Sequence, residues 1–142
     1  MKTSRFWMVI PTALVVLLAN VGVARSQATQ ITLGLRSEPV VVTGTSGGSK
    51  VSKSCGMISA QPNYVVSLTN NFNYLRFNVK SSGNPTLLIE GPNGSFCVPA
   101  DKFSGGNIQA PGFWEKGIYS IYIGDRAGGQ HPYTLSITQK RS

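Results

Sequence analysis

Apolar and polar residues alternate in three stretches of this chain, and a period of two marks a strand with one face in a core. In 74–80, Leu75, Phe77 and Val79 alternate with Arg76, Asn78 and Lys80. In 118–124, Tyr119, Ile121 and Ile123 form the inward set, with Ser120 and Tyr122 facing out. In 133–138, Tyr133, Leu135 and Ile137 face in, while Thr134, Ser136 and Thr138 face out. The run Thr86-Leu87-Leu88-Ile89 within 86–90 is apolar on both faces, which predicts a strand covered on both sides. Shorter runs of β-branched, aromatic and aliphatic residues add strands at 31–35, 40–43, 57–60, 64–69 and 95–98. Gly and Pro recur at intervals of about ten residues, the spacing of a sandwich or barrel of short strands. The expectation is an all-β fold, an antiparallel, jelly-roll-like β-sandwich of about eight strands.

Gly91-Pro92-Asn93-Gly94 predicts the turn of a hairpin joining 86–90 to 95–98. Proline presets one dihedral there, and Asn-Gly tolerates positive φ. The segment 124–129 joins the last two long strands, and Gly105-Gly106 and Pro111-Gly112 bound a loop region. The polar Gly/Ser/Lys stretch 44–54 reads as a loop between an N-terminal arm and the main body.

The start of the chain changes the domain picture. Lys2 and Arg5 precede an apolar run over 6–19, and Val23-Ala24-Arg25-Ser26-Gln27-Ala28 supplies small residues after it. That order predicts a signal peptide at 1–26, with cleavage after Ala24 or Ala28 as alternatives. A retained anchor is the competing reading, but the apolar run is short for a span of ~20 residues. The expected organisation is signal peptide 1–26, arm and loop 27–54, and sandwich 55–142. The expected location is periplasmic or secreted, with no stable membrane anchor after cleavage.

Cys55 and Cys97 are the two cysteines. In an exported chain an even count points to a disulfide; the alternative is a pair of buried reduced thiols. No Cys-x-x-Cys occurs and His131 is the single histidine, so no metal and no cofactor are expected. Loss of Lys2, Arg5 and Arg25 on cleavage would bring the formal charge from +8 to +5. The remaining basic residues are scattered, without the basic, aromatic-interleaved stripe of a nucleic-acid binder. Such a charge solubilises, or gives weak attraction to acidic polysaccharide.

From 73 to 138 the order of features resembles the bacterial pre-peptidase C-terminal domain, a small exported β-sandwich. The matching blocks are Leu75-x-Phe77-x-Val79, then Thr86-Leu87-Leu88-Ile89-x-Gly91-Pro92-Asn93-Gly94, then Gly117-x-Tyr119-x-Ile121-x-Ile123, and last Tyr133-Thr134-Leu135-Ser136-Ile137. The resemblance implies the fold and an accessory, non-catalytic character. Family members usually follow a secreted peptidase, which this chain lacks. Many carry acids ahead of the strand matching 86–90, where this chain reads Ser81-Ser82-Gly83-Asn84-Pro85.

Candidate chemistry is sparse. The five acids, Glu38, Glu90, Asp101, Glu115 and Asp125, are spread along the chain. The most polar loop, 124–131, offers Asp125, Arg126 and His131 as ligand-binding candidates, since loops at a sandwich end carry recognition. Trp114, after Pro111-Gly112-Phe113, is the other candidate, as an exposed ring for stacking on a sugar. It competes with a Trp folded over the core. The leading expectation is an exported, non-enzymatic binding or structural module acting on envelope polysaccharide or a secreted protein. The alternative is a small hydrolase or peptidase inhibitor using Asp125, His131 and a loop serine or Glu115.

Overall fold

A computed structural model describes residues 29–36, 38–102 and 105–141. The signal-peptide reading of 1–26 lies outside the described residues. Within them the chain forms eleven strands: β1 (Thr29–Leu33), β2 (Val40–Thr45), β3 (Lys50–Ser52), β4 (Gly56–Ile58), β5 (Tyr64–Leu68), β6 (Phe72–Ser81), β7 (Pro85–Gly91), β8 (Gly94–Pro99), β9 (Ile108–Trp114), β10 (Gly117–Asp125) and β11 (Pro132–Thr138).

These strands make two packed sheets. In the first, β10 pairs with β7 on one side, and with β5 and then β4 on the other; β8, β1 and β3 extend it. The second runs β2-β11-β6-β9. The all-β sandwich expected from the alternation is therefore present, with eleven strands rather than about eight. All pairings are antiparallel except β1 with β5, which run parallel from Thr29↔Tyr64 to Leu33↔Leu68. The segment 27–54, read as an arm and loop, supplies β1 and β3 to the first sheet and β2 to the second, so it edges both layers.

The core lies between the sheets. Leu75, Phe77 and Val79 of β6, Leu135 and Ile137 of β11, and Tyr119, Ile121 and Ile123 of β10 are all buried in one cluster. Period-two alternation produces this directly, because a strand turns every second side chain to the same face. The Tyr64 hydroxyl donates to the Thr43 carbonyl at 2.5 Å, tying β5 of one sheet to β2 of the other.

Two strands escape the sequence pattern. β3 has a single aliphatic side chain, Val51, and it is 74% exposed, so β3 leaves no hydrophobic signature. β9 contains Pro111 and Gly112, which read as breakers. An edge strand tolerates proline because one row of its backbone groups has no partner, and β9 pairs only with β6. The side chain of Tyr122 was expected to face out. It is buried instead, in a second small cluster with Cys55, Ile58 and Leu88. The cause is the Cys55–Cys97 disulfide, Cα–Cα 5.7 Å, which draws β4 over the outer face of the first sheet. Gly124 permits that approach. A Cβ there would lie 2.4 Å from Thr86 Oγ1 and 2.7 Å from the Cys55 carbonyl oxygen, itself the acceptor for Thr86 Oγ1 at 2.6 Å. Gly124→Ala is therefore expected to cost about 1–3 kcal/mol through overpacking, read as a lower urea midpoint.

Candidate functional site

Asp125 ends β10 and is fully buried. Isolated, such a carboxylate would be costly, and three loops converge to satisfy it. Ser46 Oγ, after β2, donates to Oδ2 at 3.0 Å. His131 Nδ1, before β11, meets the same oxygen at 2.7 Å. The backbone N–H groups of Ala127 (2.8 Å) and Asn84 (3.4 Å) donate to Oδ1. Gly83 lies against the pair, since a Cβ there would fall 2.4 Å from both Asp125 Oδ2 and His131 Nδ1. Burial pushes the Asp125 carboxyl up. The hydrogen bonds from Ala127, His131, Ser46 and Asn84 outweigh it and hold the group below its ordinary range.

An ionised carboxylate only accepts, so the shared proton sits on His131 Nδ1. That half matches an acid–histidine pair, but the hydroxyl is wired differently. Ser46 Oγ gives its proton to Asp125 and accepts the His131 backbone N–H at 3.2 Å. A nucleophilic serine must instead give its proton to the outer ring nitrogen of the histidine. Ser46 is also fully buried. Glu115, the other partner considered, precedes β10, while Asp125 ends it. At ~3.3 Å per residue, β10 from Gly117 to Asp125 is roughly 26 Å long, so the two lie at opposite ends of it. Arg126 is spent on the scaffold: its Nη2 donates to the Ser54 carbonyl at 2.6 Å and its backbone N–H to Asn84 O at 2.9 Å. The geometry of Asp125, Arg126 and His131 is that of a knot joining three loops.

Asp125→Asn is expected to lower stability at pH 7 by about 2–3 kcal/mol, because an amide cannot accept all four bonds. The native carboxyl is depressed, so its contribution is complete above the ordinary carboxyl range. It fades as pH falls through the lowered native value. The wild-type urea midpoint should therefore drop below pH ~4, and the Asn variant should be flatter there. Parallel curves would remove this role.

Of the two readings of Trp114, the ring folded over the core is the one present, and the exposed, sugar-stacking ring is not. It is 6% exposed, packs on Phe77 at 4.6 Å between ring centroids, and donates Nε1–H to the Leu75 carbonyl at 2.9 Å. The alternation of β9 turns Trp114 inward and its neighbour Phe113 outward, 57% exposed.

The sandwich is open where β8 and β9 end their sheets, since β8 pairs only with β7. A groove of about 590 Å³ runs along this opening. Phe96 of β8 forms a wall. It is 45% exposed, with its ring 5.8 Å from that of Trp114. Trp114 and Tyr119 lie at the floor, and Asn93, Ser95, Gln109 and Glu115 bring polar groups. Asn93 Nδ2 donates to Glu115 Oε2 at 2.9 Å, which fixes both side chains at one end. Sequence reasoning missed Phe96, because Ser95-Phe96-Cys97-Val98 carries no sign of which face is left uncovered.

No family model matches the chain. A protein of Synechococcus elongatus, described as uncharacterized protein Synpcc7942_2126, is 44% identical over 101 residues, which cover 68% of this chain and 73% of that protein. Among solved structures, the pre-peptidase C-terminal domain of a collagenase from Bacillus anthracis superposes with a TM-score of 0.53. It shares 15% identity, over 78% of this chain and 96% of that domain. PliG of Salmonella Typhimurium, a periplasmic inhibitor of g-type lysozyme, gives a TM-score of 0.44 at 11% identity, over 78% and 97% of the two chains. The fold is thus that of a pre-peptidase C-terminal-like β-sandwich.

Proposed function

The chain belongs to the same family as the Synechococcus elongatus protein, and from that footing we propose that it is an exported, non-enzymatic module that binds polysaccharide in the β8/β9 groove. The observation that carries this reading is the half-exposed Phe96 ring beside Asn93, Gln109 and Glu115. A sugar presents an apolar face of C–H groups and a rim of hydroxyls. An aromatic face takes the first, desolvating it favourably, and amide and carboxylate groups take the second. The polysaccharide-stacking role first considered for Trp114 passes to Phe96, with Trp114 as its support.

Export is supported by the Cys55–Cys97 bridge, since disulfides persist in oxidising compartments, and by the order of basic, apolar and small residues over 1–26. The accessory character is supported by the fold, and the wiring of Ser46 away from His131 leaves that serine without a base.

A glycan array and affinity electrophoresis in neutral envelope polysaccharides test the reading. Phe96→Ala should weaken retention at least tenfold, and His131→Ala should leave it unchanged. Blank arrays with folded protein would sink the polysaccharide reading. Capture of a secreted protein, lost on Phe96→Ala, would make the groove a protein site instead.

A further inference from the structure

We propose that the outer face of the second sheet is a separate binding surface for an acidic, uronate-bearing polysaccharide chain. The face is built by Tyr74, Arg76, Asn78 and Lys80 of β6. Beside them lie Thr134 and Ser136 of β11, Gln109 of β9, and Val41 and Thr43 of β2. Strand alternation aims all of these away from the core. Arg76 and Lys80 are four residues apart on β6, roughly 13 Å along the strand. Arg141 extends the line past Arg76: its guanidinium lies over the Tyr74 ring at 4.4 Å, and its carbonyl accepts from Arg76 Nη1 at 3.4 Å.

Two observations point to an anionic occupant. First, none of the strand residues on this face is acidic. One carboxylate, Glu38, reaches the end of the face at Thr138, the register partner of Arg76, where it accepts from the Thr138 hydroxyl and the Gln139 N–H beside Lys140. Among the described residues no carboxylate lies within ion-pair distance of Arg76, Lys80 or Arg141. Cations brought together without counter-charge favour an incoming anion. Second, two depressions meet at Lys80. One, about 250 Å³, is lined by Arg76, Asn78, Gln109 and Ser136; the other, about 370 Å³, by Thr43, Thr45 and Thr134. Amides and hydroxyls between spaced cations suit a chain of alternating hydroxyls and carboxylates. The surface adjoins the β8/β9 groove at Gln109, which lines both, and its cations lie outside that groove.

The test is retention on immobilised polygalacturonate, with neutral dextran as the blank. Wild type should be retained on the first alone and released by moderate salt, since exposed charges are screened. Lys80→Glu and the pair Arg76→Ala/Lys80→Ala should each weaken retention at least tenfold. Lys50→Ala/Lys53→Ala removes two charges elsewhere and should change it less than twofold, and Phe96→Ala should leave it intact. An equal loss in the Lys50/Lys53 variant would reduce the effect to net charge and overturn the proposal. So would absence of retention in wild type, or equally tight binding to vesicles rich in anionic lipid, which would make the face a membrane surface.

Discussion

Phe77→Ala is expected to destabilise the protein by about 3–5 kcal/mol, the range for removing a fully buried ring from a core. Phe77 sits mid-strand in β6, with β11 and β9 on its two sides, its register partners being Ile137 and Ala110. It has no exposed surface, and its ring packs on Trp114 at 4.6 Å. The neighbours on both sides are strands locked by ladders of hydrogen bonds, so little can collapse into the space. The cavity term therefore adds nearly in full to the lost transfer energy. Trp114 would lose its support while its Nε1–H stays tied to Leu75, so Trp fluorescence should change in the folded variant. For a domain near 100 residues, 1 kcal/mol shifts Tm by roughly 4–8 °C, so the midpoint should fall by 12 °C or more. A loss below about 1.5 kcal/mol in urea would contradict the packing described.

Removing the disulfide should be nearly as costly. The bridge joins residues 42 apart, and the chain-entropy relation gives about 4 kcal/mol for a loop of that length. Part of the effect is local and separable. The bridge holds β4 over the first sheet, where Ile58, Leu88 and Tyr122 form the small outer cluster. Cys55→Ser/Cys97→Ser should therefore raise hydrogen exchange first in 50–58 and in the hairpin of β7 and β8. The main core, on the other side of that sheet, should remain protected until global unfolding. Uniform exchange across the chain, or no shift in the urea midpoint on reduction, would contradict this role.

Much of the fold could be read from local pattern. The inward sets of β6, β10 and β11 follow from period two, and each of those core residues is buried. The hairpin at 91–94 follows from its turn chemistry, with Gly94 taking the positive φ. The cysteine pairing follows from a count of two in a chain read as exported. Far less of the site was legible. Trp114 read either as an exposed ring or as one folded over the core, because proline and glycine precede it; β9 continues through both as an edge strand and turns the ring inward. Ser46 lies in a Gly/Ser/Lys stretch whose Gly44-Thr45-Ser46-Gly47-Gly48 run has the spacing of a nucleophile elbow but leads from β2 to β3 and not into a helix, and its partner Asp125 is 79 residues away.

The difference has one physical source. Which side chains share a face is decided by backbone geometry within a few residues, so runs such as Leu75-x-Phe77-x-Val79 announce themselves. Which faces are then covered depends on strands meeting across the whole chain. Only the packed sheets could bury Tyr122 under β4, leave Phe96 open at the β8 edge, and gather Arg76, Lys80 and Arg141 on a face whose strands carry no acidic residue.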